Sequence, residues 1–210
     1  FMASNYQPIT MQDFVHLHVH TQYSLLDGQA SVARLVDKAM KNGMKGIAVT
    51  DHGNMFGIKE FTNYVNKKNS GPKGEVKDLK KRIAGIEAGT IECEDKEAEI
   101  AACKAKIVEA ENKLFKPIIG CEMYVARRTM DLKEGKPDQS GYHLIVLAKN
   151  ETGYHNLIKL VSHAWTRGYY MRPRTDRSEL EKYHEGLIVC SACLGAVSYT
   201  HLRAHETRED

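Results

Sequence analysis

The stretch "FVHLHVHTQYSLLDG", residues 14 to 28, sets His16, His18 and His20 at every second position and follows them with an acid and a glycine. Alternate side chains of an extended strand face one way, so His18 and His20 can present two imidazoles from one rigid element to a single ion. A second such stretch is "AVTDHGNMFG", where an apolar strand ends at Thr50 and Asp51 and His52 follow, before Gly53 and Asn54 open the next helix. Three more residues of ligand type stand beside strands: Glu122 after "KPIIGC", His143 opening "HLIVLA", and Cys193 in the turn after "GLIVC". Imidazole, carboxylate and thiolate together suit zinc, while imidazole with carboxylate also suits manganese or iron. Singly, each has an ordinary reading: Glu122 a paired surface acid, His143 a satisfied edge residue, Cys193 a small buried hydrophobe. Their gathering at one rim points to metal chemistry, because loops converge at the C-terminal ends of strands in parallel α/β folds and barrels.

The elements that must position these residues alternate. Residues 14–20, 46–50, 118–126, 143–148 and 186–190 read as five strands. One helix starts at Ser31 as N-cap, shows Leu35, Val36, Ala39 and Met40 on one face and stops at Gly43; the next carries Phe56, Phe61, Tyr64 and Val65. A later helix begins near Thr152 and presents Leu157, Leu160, Val161 and Ala164, and Ser178 with Glu181 forms a capping-box pattern before a short helix. This alternation predicts an α/β architecture with mostly parallel strands. Residues 70–114 interrupt it with 9 basic and 10 acidic side chains. Apolar positions there recur at 3,4 spacing on both sides of Gly89-Thr90, which predicts a solvated helical-hairpin insertion.

The composition is that of an ordinary globular chain: 210 residues, 42% hydrophobic, 27% charged, net charge +3. Bulk charge therefore announces no nucleic-acid partner, and any such contact must come from local clusters. Five cysteines without a regular framework and an N-terminus without a signal-peptide pattern predict a cytoplasmic protein, and no apolar run is long enough to span a membrane. The last stretch, "VSYTHLRAHETRED", loses apolar periodicity. His201 and His205 there have a helical zinc-binding spacing, but residues 198–210 resemble translated adapter sequence and are read as a foreign tail.

"HLHVHTQYSLLDG", "AVTDHGNMFG", "KPIIGCEMYVA", "YHLIVLAKNETGYHNLIKLVSHAWTRGYYMRPRTDRSEL" and "GLIVCSACLGA" together resemble the polymerase and histidinol phosphatase (PHP) domain of bacterial DNA polymerase III alpha subunits. The resemblance spans residues 12–196 apart from the hairpin. It implies a distorted (β/α)7 TIM-like barrel with up to three divalent metal ions, zinc and/or manganese, at the C-terminal rim. By position the implied ligands are His18, His20, Asp27, His52, Glu122, His143 and Cys193. His16 becomes a neighbour of the site, and Asp51 a partner that orients His52. The family's closing Asp-x-His motif is not reached, so the domain is expected to be incomplete and truncated before its last strands.

The implied activity is metal-dependent phosphodiester hydrolysis, as a 3′ to 5′ proofreading exonuclease in the full-length protein. The implied partners are DNA, the remaining domains of the polymerase alpha subunit and the replicase holoenzyme. Arg127, Arg128, Arg172, Arg174 and Arg177 are candidates to hold the phosphate backbone, with Tyr169 and Tyr170 able to stack on bases. Nucleotide addition itself needs carboxylates in a separate region beyond these residues. Two rival functions remain: a non-catalytic structural or docking domain of the polymerase, and a free-standing phosphatase of the histidinol-phosphatase type.

Overall fold

In the computed structural model, residues 14–139 and 141–191 are described. The elements run α1 (Val32–Lys41), β1 (Gly46–Val49), α2 (Ile58–Lys68), α3 (Ser70–Glu87), α4 (Lys96–Asn112), β2 (Lys116–Val125), α5 (Lys136–Gln139), β3 (Tyr142–Ala148), α6 (Glu151–Thr166), β4 (Arg174–Thr175), α7 (Arg177–Lys182) and β5 (Leu187–Cys190). The fold is mixed α/β. Among the described residues the strands form one sheet in the order β1-β2-β3-β5, with β4 also on β2, and no closure into a barrel is seen.

Strand direction departs from expectation. β1 and β4 pair with β2 in parallel, but β3 is antiparallel to β2 and β5 antiparallel to β3. The reason lies in the connection from β2 to β3, which carries only the single turn of α5 and no helix long enough to cross a sheet face. Gly141 makes the return tight, since a Cβ there would stand 2.3 Å from the Val125 carbonyl oxygen.

Residues 14–20 also differ from the reading: they run beside β1 without forming a regular strand. Ala48 N–H donates to the His16 carbonyl and Thr50 N–H to the Val19 carbonyl, both at 2.9 Å. A two-residue step from Ala48 to Thr50 therefore faces a three-residue step from His16 to Val19, and the extra residue breaks the ladder in the manner of a bulge.

Two cores fix the sheet. Val32, Val36 and Ala39 of α1 pack with Ile47, Val49, Ile58, Phe61, Val65 and Phe115. On β2 and β3, Cys121, Met123 and Val146 face Leu157, Leu160 and Val161 of α6. The opposite sheet face carries a smaller apolar cluster of Ala48, Ile145 and Leu147. By the two-residue period Glu122, Tyr124 and His143 share that opposite face.

The caps explain where the helices start. Asn150, not Thr152, precedes α6 and accepts from Gly153 N–H. Asp176, not Ser178, caps α7 by accepting from Glu179 N–H, and the Ser178 hydroxyl donates to the same carboxylate. α3 and α4 pack on each other through Ile86, Cys103, Ile107 and Ala110, with an Arg82–Glu99 ion pair at 2.8 Å. Asn69 staples their base to the sheet: its amide donates to the Phe115 carbonyl at 2.8 Å and accepts from Phe115 N–H at 3.0 Å. No helix among the described residues is long and apolar enough to cross a membrane.

Candidate metal centre

Glu122 is the hub. It lies within β2, only 1% exposed, and its partner in register across the ladder is Ile145. His143 stands two register positions away on the same face, opposite Tyr124, because the start of an antiparallel β3 lies beside the C-terminal half of β2. Its Nδ1 meets Glu122 Oε1, while Glu122 Oε2 receives His18 Nε2 at 2.7 Å and His20 Nε2 at 2.9 Å. The fourth imidazole arrives at the end of β1, where His52 makes a single parallel bridge to Glu122 and sets its Nδ1 3.7 Å from Oε2. His52 Nε2 lies 2.8 Å from Asp27 Oδ2. The rings close over one another, with His20 stacked on His52 at 4.0 Å between centroids.

Asp51 does not orient His52. Successive residues of an extended chain point to opposite sides, so neighbours in sequence are poorly placed to meet. The buried Asp51 carboxylate instead ties down the turn after the histidines: Oδ1 accepts from Thr21 N–H at 2.6 Å and the Ser24 hydroxyl at 2.7 Å, and Oδ2 accepts from the Thr21 hydroxyl at 2.8 Å. Ser24 Oγ also accepts from His52 N–H and lies 2.9 Å from His20 Nδ1. Its one proton goes to Asp51, so His20 Nδ1 must be the donor, and His20 Nε2 is the nitrogen aimed at Glu122. Thr21 and Ser24 were missed by sequence reasoning. Their signal was a hydroxyl-rich turn directly after the histidines.

The electrostatics show a site short of positive charge. Burial pushes the Glu122 carboxyl up, but hydrogen bonds from His143, His20 and His18 outweigh it and hold the group far below the usual carboxylate range. For His20, burial pulls the pKa down, while the hydrogen bond and charge of Glu122 outweigh it and raise it above its ordinary value. A proton on His20 Nε2 thus stands where a cation would serve both groups.

The residues fit a metal on three counts. His18, His20 and Glu122 offer ligand atoms within 4.8 Å of one another, and so do His20, Asp27 and His52, with His20 common to both groups. His52 Nδ1 is buried with no hydrogen-bond partner among the described residues, the condition of a lone pair waiting for an ion. Finally, the donors are imidazole nitrogen and carboxylate oxygen, the set that borderline divalent ions take. Cys193 lies outside the described residues, as do residues 198–210. His16 is exposed, with its ring edge-on to Phe14 at 4.7 Å, and belongs to neither group.

The candidate nucleic-acid residues separate. Arg174 is a correction: it is fully buried and donates to the carbonyls of Gly168, Asp138, Met130 and Leu132, so it supports the fold and has no donor face for phosphate. Tyr170 lies against that guanidinium at 5.6 Å. Arg128 is held by Asp138 and Glu134, Arg177 by Glu181, and Arg127 lies over the Tyr142 ring at 5.3 Å. Arg172 borders the metal centre, donating to the Tyr124 hydroxyl at 2.7 Å and lying over its ring at 4.9 Å. Tyr124 in turn packs against His143 at 5.0 Å and His52 at 6.1 Å. Sequence reasoning passed over Tyr124, although the period of two from Glu122 places it on the same face. Tyr169 is exposed and stacks on Trp165 at 5.6 Å.

A histidine-rich rim around a buried carboxylate on a mixed α/β scaffold belongs to a recognisable class. The PHP domain family matches residues 16–209, and the chain belongs to that family. Among its relatives, the DNA polymerase III subunit alpha of Borreliella burgdorferi is 43% identical over 187 residues, which is 88% of this chain and 12% of that protein. The subunit of the same name from Treponema pallidum is 40% identical, covering 92% of this chain and 13% of that one. The one from Aquifex aeolicus is 34% identical, covering 94% and 14%. The chain thus spans about an eighth of the length of these relatives.

Proposed function

We propose that this chain is the metal-binding phosphoesterase part of a replicative DNA polymerase alpha subunit, hydrolysing phosphodiesters as a 3′ to 5′ proofreading exonuclease. The observation that carries the reading is the convergence of four imidazoles on one buried carboxylate, with His52 Nδ1 beside it holding no hydrogen bond among the described residues. His18, His20, Asp27, His52, Glu122 and His143 hold divalent zinc or manganese, joined by Cys193, and the sheet is part of a distorted (β/α)7 barrel. Bound ions supply a water of lowered pKa and charge neutralisation at the attacked phosphate. The chain's own work is positional: Asp51 and Ser24 fix the ring of His20, the ligand common to both groups, Glu122 gathers the imidazoles, and Arg172 borders the centre through Tyr124. The working partners are DNA and the rest of a replicase in the cytoplasm.

A second reading, a structural domain of the polymerase without catalysis, draws on one observation: three imidazoles already satisfy Glu122. Elemental analysis and a nuclease assay separate the two. Purified protein should carry zinc or manganese, lose it in the His18→Ala, His20→Ala double variant, and degrade single-stranded DNA from its 3′ end in a chelator-sensitive way. Metal without nuclease favours the structural domain, and unchanged metal in the double variant overturns the ligand assignment.

A further inference from the structure

Beside the metal centre runs an exposed row of aromatic rings that takes no part in holding the metal, and it carries Tyr169, a candidate to stack on bases, together with Phe56 and Trp165. Phe56, Trp165 and Tyr169 are 63%, 40% and 49% exposed, unusual for rings of this size. They form a row, Phe56 to Trp165 at 5.8 Å and Trp165 to Tyr169 at 5.6 Å, the latter pair nearly parallel at 23°. The row is pinned to the site, because Trp165 Nε1 donates to the Gly53 carbonyl at 2.8 Å, one residue beyond His52.

We propose that this ledge is a stacking platform for the unpaired bases of single-stranded nucleic acid on its way to the metal centre. The inference rests on the phosphodiesterase reading and deepens it by assigning the surface that holds the substrate strand. Flat, exposed, pre-ordered rings in sequence are what successive bases stack on without regard to base identity. The electrostatics agree. The groove of about 370 Å³ along the ledge is lined by Met55, Ile158, Val161, Ser162 and Thr166 besides two of the rings, with no carboxylate to repel a polyanion. At the metal-centre end stands Arg172, engaged by Tyr124 and, among the described residues, by no carboxylate. An apolar protein partner would use the rings alone, whereas a strand's phosphates would meet Arg172 as well.

Trp165 is the only tryptophan in the chain, so the ledge reports on itself. The test is a titration of the whole chain, in chelator so that nothing is hydrolysed, with a thymidine oligonucleotide and with an abasic oligomer of equal phosphate number. The expected result is saturable quenching of Trp165 fluorescence by the first and none by the second. Tyr169→Ala and Phe56→Ala should each weaken binding about tenfold while leaving the unfolding midpoint unchanged. Equal quenching by the abasic oligomer, or binding unaffected by both substitutions, overturns the platform and leaves the ledge a protein-docking surface. Because the readout is binding without turnover, nuclease activity without quenching refutes only the platform, whereas quenching without nuclease activity refutes only the phosphodiesterase reading.

Discussion

Ser24 offers the sharpest test of how the metal centre is held, because one small hydroxyl links three parts of it. Ser24→Ala removes a single oxygen from a side chain that is 1% exposed, so no cavity of consequence is made. His20 Nδ1 and His52 N–H lose their acceptor, while Asp51 Oδ1 keeps Thr21 N–H. Two stranded donors at about 1 kcal/mol each give an expected loss of about 2 kcal/mol in stability, read by urea unfolding. The functional effect is separate. Without the hydroxyl the His20 ring is free to turn and to move its proton to the other nitrogen, which should weaken metal binding by about 10- to 100-fold in a chelator-competition assay. In a His20→Ala background the same substitution should change affinity little, since the ring it orients is gone. Unchanged affinity in Ser24→Ala, or an undiminished further loss in the His20→Ala background, would refute the relay.

Arg174→Ala should cost at least about 3 kcal/mol by urea unfolding, because four carbonyls lose a charged donor, and Arg174→Lys should recover only a minor part of it; a loss under 1 kcal/mol would be inconsistent with its burial. Asn69→Ala, which strips both hydrogen bonds from Phe115, should lower stability by about 2 kcal/mol without altering metal content, measured by unfolding and elemental analysis together. The metal-free protein should have an acid stability optimum. Glu122 is depressed in the fold, so its contribution is present above the ordinary carboxylate value near 4.5 and is lost as pH falls through the depressed one; His20 is raised, so its contribution is full below 6.5 and fades as pH climbs through the raised one. Thermal unfolding of metal-free protein should therefore peak between about 4.5 and 6.5, and added zinc should move the peak upward as protons cease to compete for the imidazoles.

Helices were legible in the sequence because their signal is local. The spacing of Leu35, Val36, Ala39 and Met40 is enough to place α1, and Ser31 caps it as read, although the buried face turns out to be Val32, Val36 and Ala39, with Met40 exposed. Strand direction was not legible, because alternation of strand and helix predicts parallel pairing only when a helix fills each crossover, and the segment before β3 lacks one. The same distinction governs the site. His18 and His20 follow from a period of two, but the role of Asp51 depends on a turn thirty residues earlier, which no local pattern reports. Arg172 and Arg174 look alike in "YYMRPRTDR"; what separates them is the set of carbonyls from residues 130–138 that closes over Arg174 alone.

The metal centre is thus built from two halves of unequal rigidity. Glu122 and His143 sit on a six-pair antiparallel ladder whose other face is packed by α6, so their positions are set by the core. His18, His20 and Asp27 arrive on irregular backbone, with Leu26 at φ +68° immediately before the acid, and are registered against the sheet by the carbonyls of His16 and Val19 and by the Asp51 carboxylate. A conformation that an L-residue disfavours by about 1 kcal/mol or more persists only where neighbouring contacts impose it. The Asp27 and Gly28 N–H groups close the turn around Leu26 on the Ser24 carbonyl, and the Asp51 carboxylate anchors that turn through Thr21 and Ser24, so substitutions at Asp51, Thr21 and Ser24 should act on metal affinity while leaving the sheet intact, and substitutions in the ladder should act on both.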